Sequence, residues 1–280
     1  MWEPAARLPY RDFIDPPPIR GSDPPFKKTR EDFPPRRVFL SATTPIPPMK
    51  LTTLLALLVL PTVLFAQTGK PEVGGERRKQ DPSLAPVTDT PGLPRVLLIG
   101  DSISMGYTIP VRELLAGQAN VHRIPANGGS TQTGLDNLAM WIGSGKWDVI
   151  HFNWGLHDLK HWANNKLDDA APVVATPEVY EKNLRELVAK LKATGAKLVW
   201  ANTTPVPAGS GGRVAGAEKT YNEAAARVMK AAGIPTDDLC AAVISNPTWQ
   251  REKNVHFTPE GSKALGEKVA AAITAQLPKK

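Results

Sequence analysis

Arg95-Val96-Leu97-Leu98-Ile99-Gly100-Asp101-Ser102 is the stretch on which the fold reading rests. Four apolar residues in succession, two of them β-branched, run into a glycine and two small polar residues. A strand with apolar side chains at consecutive positions buries both of its faces, as strands do in a parallel sheet covered by helices. Two similar runs follow at Val149–Phe152 and Lys197–Ala201, a weaker one at Val121–Ile124, and a fifth candidate at Ile234–Leu239. Between them lie helical patterns at about 109–117, 131–142, 177–194 and 217–232, with a last one at 259–276. In the third pattern Leu184, Leu187, Val188 and Leu191 share one helix face. Thr176 and Pro177 open that helix and Gly195 closes it; Thr258-Pro259 opens the last helix in the same way. Alternation of this kind predicts an α/β fold with right-handed crossovers and a parallel sheet.

Outward toward the N-terminus the pattern dissolves. Residues 1–48 hold 12 of the 28 prolines and show no apolar periodicity, so they cannot pack a regular element. Met49-Lys50 then precedes an apolar run ending at Ala66, the layout of a secretory signal peptide. That run is shorter than the ~20 residues of a membrane-spanning helix. The expected organisation is an extension that is misassigned or disordered (1–48), with translation starting at Met49, a signal peptide (49–66), a polar linker (67–92) and one domain (93–280). Such a protein is exported, to the periplasm or outside the cell, and keeps no stable membrane anchor after cleavage.

Composition excludes several functions. Residues 1–48 carry eight Lys/Arg against six Asp/Glu and Lys50 adds one charge, so only +4 of the formal +7 falls on residues 67–280. No dense basic run remains there, which argues against a nucleic-acid partner. The single cysteine, Cys240, permits no internal disulfide and lies in an apolar run of core character. His157 and His161 stand four apart, but they leave a strand end and lack a glutamate partner. No metal is expected. The first loop has neither a dinucleotide-binding nor a phosphate-loop glycine pattern, and no cofactor is expected.

Ligands of parallel α/β folds bind beyond the carboxyl ends of the strands, and the informative residues fall there. After the first run Gly100 and Asp101 turn the chain, and Ser102 follows at a helix start, where free backbone N–H groups can stabilise an oxyanion. After the second comes Asn127-Gly128-Gly129-Ser130-Thr131, two glycines that let an amide approach a substrate. After the third comes Asn153-Trp154-Gly155-Leu156-His157-Asp158; after the fourth a Gly-rich loop, 209–212, either a lid or a plain connection. Near the C-terminus His256 stands just before the capped last helix. A serine hydroxyl needs an adjacent base to become nucleophilic, and a histidine returning over the first strand supplies one.

Across residues 95–276 these blocks, in order and spacing, resemble the SGNH (GDSL-like) hydrolases. The resemblance implies a three-layer α/β/α sandwich with a flavodoxin-like parallel sheet. It implies Ser102 as nucleophile and His256 as base, with Gly129, or Gly128 in the alternative register, as oxyanion donor. Two positions depart from the family pattern. The third block places His157 where the family has an asparagine donor, with Asp158 beside it in a structural position. Lys253 replaces the aspartate expected three residues before the histidine. Glu252 or a backbone carbonyl could then orient His256. The expected activity is ester hydrolysis through an acyl-enzyme, on a small-molecule or glycan ester. The rivals are a non-catalytic glycan-binding domain, motivated by Lys253, and an acyltransferase.

Overall fold

The computed structural model describes residues 81–279. The expected extension (1–48), the expected signal peptide (49–66) and most of the expected linker lie outside them. Element order is β1 (Arg95–Ile99), α1 (Ser102–Leu114), β2 (Asn120–Arg123), α2 (Thr131–Ile142), β3 (Val149–Phe152), β4 (Trp162–Ala163), β5 (Lys166–Leu167), α3 (Pro177–Lys192), β6 (Lys197–Ala201), α4 (Glu218–Ala232), β7 (Thr236–Asp237), α5 (Leu239–Ser245) and α6 (Pro259–Thr274). Five strands form one parallel sheet in the order β2-β1-β3-β6-β7. This is the flavodoxin-like order, and its switch point lies between β1 and β3, where chains leave toward opposite edges. Helices α1 and α6 pack together on one side; α2, α3 and α4 form the other group. Val96, Leu98, Ile99, Val149, Ile150 and Phe152 are fully buried, as continuous apolar strands under two helical layers must be.

The boundaries differ from expectation in instructive places. Helix α1 starts at Ser102, seven residues before the apolar pattern suggested, because the Asp101 carboxylate accepts from Ile103 N–H at 2.9 Å and caps it. Gly106 and Pro110 break the pattern without breaking the helix. Both serve the seam with α6: a side chain at Gly266 would strike the Pro110 ring at 2.6 Å, and one at Gly106 would meet Ser262 Oγ at 3.1 Å. The fifth run splits, with Thr236–Asp237 as a short edge strand and Leu239 entering a helix, α5, capped by Asp238. Cys240 lies in that helix and is buried. The β4–β5 hairpin turns on Asn164-Asn165, both at positive φ (50° and 58°), a two-residue loop that asparagine tolerates better than most residues.

Packing begins before residue 93. Ser83 is buried, Arg112 donates to the carbonyls of Pro82 (3.4 Å) and Ala85 (3.1 Å), and Asp89 meets His122 and Arg95. The described end of the expected linker is thus part of the domain. Among the described residues no helix is long and apolar enough to cross a membrane.

Candidate active site

Ser102 and His256 meet. Their Oγ and Nε2 atoms lie 2.9 Å apart across 154 positions of sequence. The fold brings them together in two ways. β1 ends at the switch point and hands Ser102 to the first turn of α1, where its N–H falls outside the helical hydrogen-bond ladder. The glycine seam lets α6 lie close against α1, and His256 immediately precedes the Thr258 cap of α6.

The turn that carries Ser102 is clamped from behind. Arg123, buried at the end of β2, donates through Nη2 to the carbonyls of Gly100 (2.8 Å) and Asp101 (3.0 Å) and to Ser104 Oγ (2.7 Å). Its Nη1 donates to Ile124 and Ala126. One guanidinium therefore staples the ends of β1 and β2. Nothing in the pattern of the weak second run singled out Arg123; an arginine at the inner end of a strand was the available sign. Asp101 itself is buried, and its role is the cap of α1.

The His256 loop is held partly by its own atoms and partly from outside, with Val255 and Phe257 buried and Gln250 Nε2 donating to Pro205 O at 2.8 Å. Arg251 N–H donates to His256 O at 2.9 Å, and Thr258 N–H to Trp249 O at 2.9 Å. Asn254 Oδ1 accepts from His256 N–H at 3.0 Å and faces His256 Nδ1 at 2.8 Å. The backbone contact identifies that Asn254 atom as the oxygen, because an amide nitrogen could not accept from N–H. Nδ1 must then carry the proton, and Nε2 presents its lone pair to Ser102. This is the tautomer a general base needs.

Glu252 is not the orienting group: its carboxylate is 89% exposed and lies 4.0 Å from Lys253 Nζ. Nor is a backbone carbonyl. Lys253 adopts φ 53° and its chain runs along Gly209, where an added Cβ would meet it at 3.0 Å. Asn254 was in view in the sequence, and an asparagine two residues before a histidine is the Asx-turn spacing.

The two glycines separate cleanly. Gly128 N–H donates to Gly100 O at 2.9 Å, and a Cβ there would strike that oxygen at 2.8 Å, so its amide is spent on joining the β1 and β2 loops. Gly129, at φ 61°, has its N–H on the exposed side chain of Asn127 at 3.0 Å. Asp158 is fully buried and accepts from Thr131 N–H at 2.9 Å and Thr131 Oγ1 at 2.5 Å, tying the third loop to the start of α2. Burial raises its pKa to about 7, against the pull of those donors. Trp154 is core, its ring N–H donating to Gly128 O at 3.2 Å.

His157 is mostly buried, and burial holds its pKa below the usual histidine value; the nearby cations Lys160 and Arg213 push the same way, against Asp101. Lys160 Nζ lies 3.4 Å from its Nδ1. Since an ammonium only donates, Nδ1 is an acceptor and Nε2 carries the hydrogen of a neutral ring. His256 is likewise depressed, by burial first and then by Arg213 and Arg251, with Asp101 opposing. His151 is buried in β3 against Asp237, and His122 lies beside Asp89, both away from Ser102. The 209–212 loop is docked: Gly212 O accepts from His161 N–H and Gly212 N–H donates to Asp169, each at 2.7 Å.

The profile of the GDSL-like Lipase/Acylhydrolase family matches residues 98–264, more than half of the chain. The chain belongs to that family. This GDSL-like hydrolase is an ester hydrolase by that membership, and the fold agrees. A lipase/acylhydrolase from Enterococcus faecalis superposes with a TM-score of 0.56 at 20% identity, over 67% of this chain and 99% of that one. An acetyl xylan esterase gives 0.54 at 16% identity, over 64% and 99%. A GDSL-like lipase from Bacteroides thetaiotaomicron gives 0.53 at 16%, over 70% and 95%. The search of curated proteins returned no match to the GDSL-like hydrolase.

Proposed function

We propose that the chain is a serine esterase that hydrolyses small acyl esters, carbohydrate esters among them, through an acyl-enzyme on Ser102. The observation that carries this reading is the Ser102–His256–Asn254 chain of contacts, at 2.9 and 2.8 Å. His256 Nε2 takes the Ser102 proton as Oγ attacks the ester carbonyl. The tetrahedral oxyanion is met by the N–H groups of Ser102 and Gly129 and by His157 Nε2–H. For Gly129 the substrate oxygen displaces the exposed Asn127 side chain. His256 then gives its proton to the leaving alcohol, and the acyl-enzyme forms. Water, deprotonated by the same Nε2, attacks the acyl carbonyl; as the tetrahedral adduct collapses, Nε2 returns that proton to Ser102 Oγ and the acid leaves. A neutral amide orients the ring but stabilises its cation less than a carboxylate would.

The acetyl xylan esterase among the fold neighbours supports an acylated carbohydrate as substrate. The signal-like run at 49–66 supports export to the periplasm or beyond; amino-terminal sequencing of secreted protein is expected to begin near residue 67. The Asn254 contact on His256 Nδ1 supports the catalytic reading against the non-catalytic one, which rested on Lys253. A fluorescent fluorophosphonate is expected to label Ser102, and p-nitrophenyl acetate to be hydrolysed, with both signals lost in Ser102→Ala. A folded protein that neither labels nor turns over overturns the proposal.

A further inference from the structure

Two cations stand around His157 without an ion-pair partner among the described residues. Arg213 closes the Gly-rich loop and donates through Nε to Leu156 O at 3.1 Å, one residue from His157. Its Nη1 and Nη2 make no hydrogen bond among the described residues, although the side chain is half-buried. Lys160, also half-buried, lies 3.4 Å from His157 Nδ1, with Nζ 4.0 Å above the Trp162 ring. Neither forms a salt bridge among the described residues. The neighbouring acids act on these cations without pairing with them, and each is hydrogen-bonded to another group, Asp158 to Thr131. Asp101 caps α1, and Asp169 holds Gly212 N–H at 2.7 Å. Arg213 lines a cavity of about 250 Å³ together with His161, Asp169, Gly209, Ser210, Gly211 and Val214; Lys160, Ser102 and His256 stand outside its wall.

The loop is built to hold that guanidinium in place. It is pinned on one side to His161 and Asp169, and on the other Gly209 lies against Lys253 of the His256 loop. Arg213 thus sits on a bridge between the His157 and His256 loops. Its charge opposes protonation of both rings, as proximity requires. A part-buried cation without a partner costs free energy, and its fold tolerates that where a ligand supplies the anion. A guanidinium with two free terminal nitrogens suits a carboxylate, which it can hold in a fork.

We propose that Arg213 and Lys160 form an anion subsite, and that the preferred esters of this hydrolase carry a carboxylate close to the scissile bond. The placement of that carboxylate on a substrate rests on the Ser102 esterase reading; binding of the anion does not. Two ester pairs locate it. p-Nitrophenyl hemisuccinate against p-nitrophenyl valerate tests the acyl side. An O-acetylated methyl glucuronoside against the O-acetylated methyl glucoside tests the alcohol side. In at least one pair the charged ester is expected to lead in kcat/KM by about tenfold, with less advantage in 0.5 M salt, as screening requires. That ratio is expected to collapse in Arg213→Gln and Lys160→Met, to recover in part in Arg213→Lys, and to stand in Lys197→Gln, which removes a charge at the far end of β6.

Succinate and methyl glucuronoside binding, followed by calorimetry and by the fluorescence of Trp162 beside Lys160, gives a readout independent of turnover. Binding of either by the intact protein, weakened at least fivefold in Arg213→Gln, supports the subsite even if Ser102 proves inert. Absence of binding, or binding and ester preference both unchanged in the Arg213 and Lys160 variants, overturns it. Loss of hydrolysis of all four esters with binding retained would fault the esterase reading and leave the subsite standing.

Discussion

The two halves of the candidate site are held by different means. Ser102 stands on a turn locked from the interior: Arg123 saturates the carbonyls beneath it, Gly128 packs backbone to backbone against Gly100, and Asp158 ties the neighbouring loop to α2. His256 stands on an exposed loop that hydrogen-bonds to itself, and one amide oxygen sets both the loop's turn and the ring's tautomer. On the proposed reading, the nucleophile is built into the end of the sheet, and the base, which must exchange protons with substrate and water, stands at the rim. Damage on the buried side is therefore expected to register as stability, and damage at the rim as rate.

The sharpest break is chemical. Ser102→Ala should reduce ester turnover by roughly 10⁶-fold, the loss seen on removing the nucleophile of a serine protease, with melting behaviour little changed; both are read on one preparation. On the buried side, Arg123→Met leaves the Ile124 and Ala126 carbonyls without a donor and takes one donor from Gly100 O and from Asp101 O, which keep Gly128 N–H and Met105 N–H. Unsatisfied buried groups cost about 1–3 kcal/mol each. Water will recover some of them, so a loss of about 3 kcal/mol is expected. For a domain of this size that lowers Tm by about 6–12 °C, measurable by calorimetry. At the rim, Asn254→Ala should lower kcat on the order of 10²-fold, the lower end of what a positioned general base supplies, while Tm moves little. A large fall in Tm with kcat spared would reverse the assignment of Asn254.

The pH profile refines the same contrast. As the proposed base His256 acts when neutral, and its pKa is held down by burial and by the Arg213 and Arg251 cations, against Asp101. The acid limb of kcat/KM should therefore lie below the ordinary histidine range. Asn254→Asp places a carboxylate on Nδ1, favours the cation and moves that limb to higher pH. Arg213→Gln removes an opposing cation and moves it the same way by less, under about one pH unit. A downward shift in either variant would contradict the contact geometry.

How much of this could be read from the sequence follows the same division. The switch-point architecture was legible because β1, β3 and β6 bury both faces and so carry unbroken apolar runs. The meeting of Ser102 and His256 was legible because each follows or precedes an element whose end is marked by a cap or glycine. Arg123, Lys160 and Arg213 were not, since a single cation gives no period and its partners are backbone oxygens on distant loops. The start of α1 was missed because Gly106 and Pro110, chosen for the seam with α6, erase the helical pattern where the helix begins. The β4–β5 hairpin was missed for want of a glycine, its turn being taken by two asparagines at positive φ.

The double use of Asn254 has a consequence for how the enzyme should fail on heating. The same oxygen closes the turn and sets the proton on the ring, so the loop cannot loosen without the imidazole losing its tautomeric preference. Surface loops outside the hydrogen-bond ladder of a sheet open at lower free energy than the sheet itself. Activity should then vanish reversibly some degrees before the domain unfolds, and hydrogen exchange at the His256 amide should report that early opening while the amides of β1 remain protected.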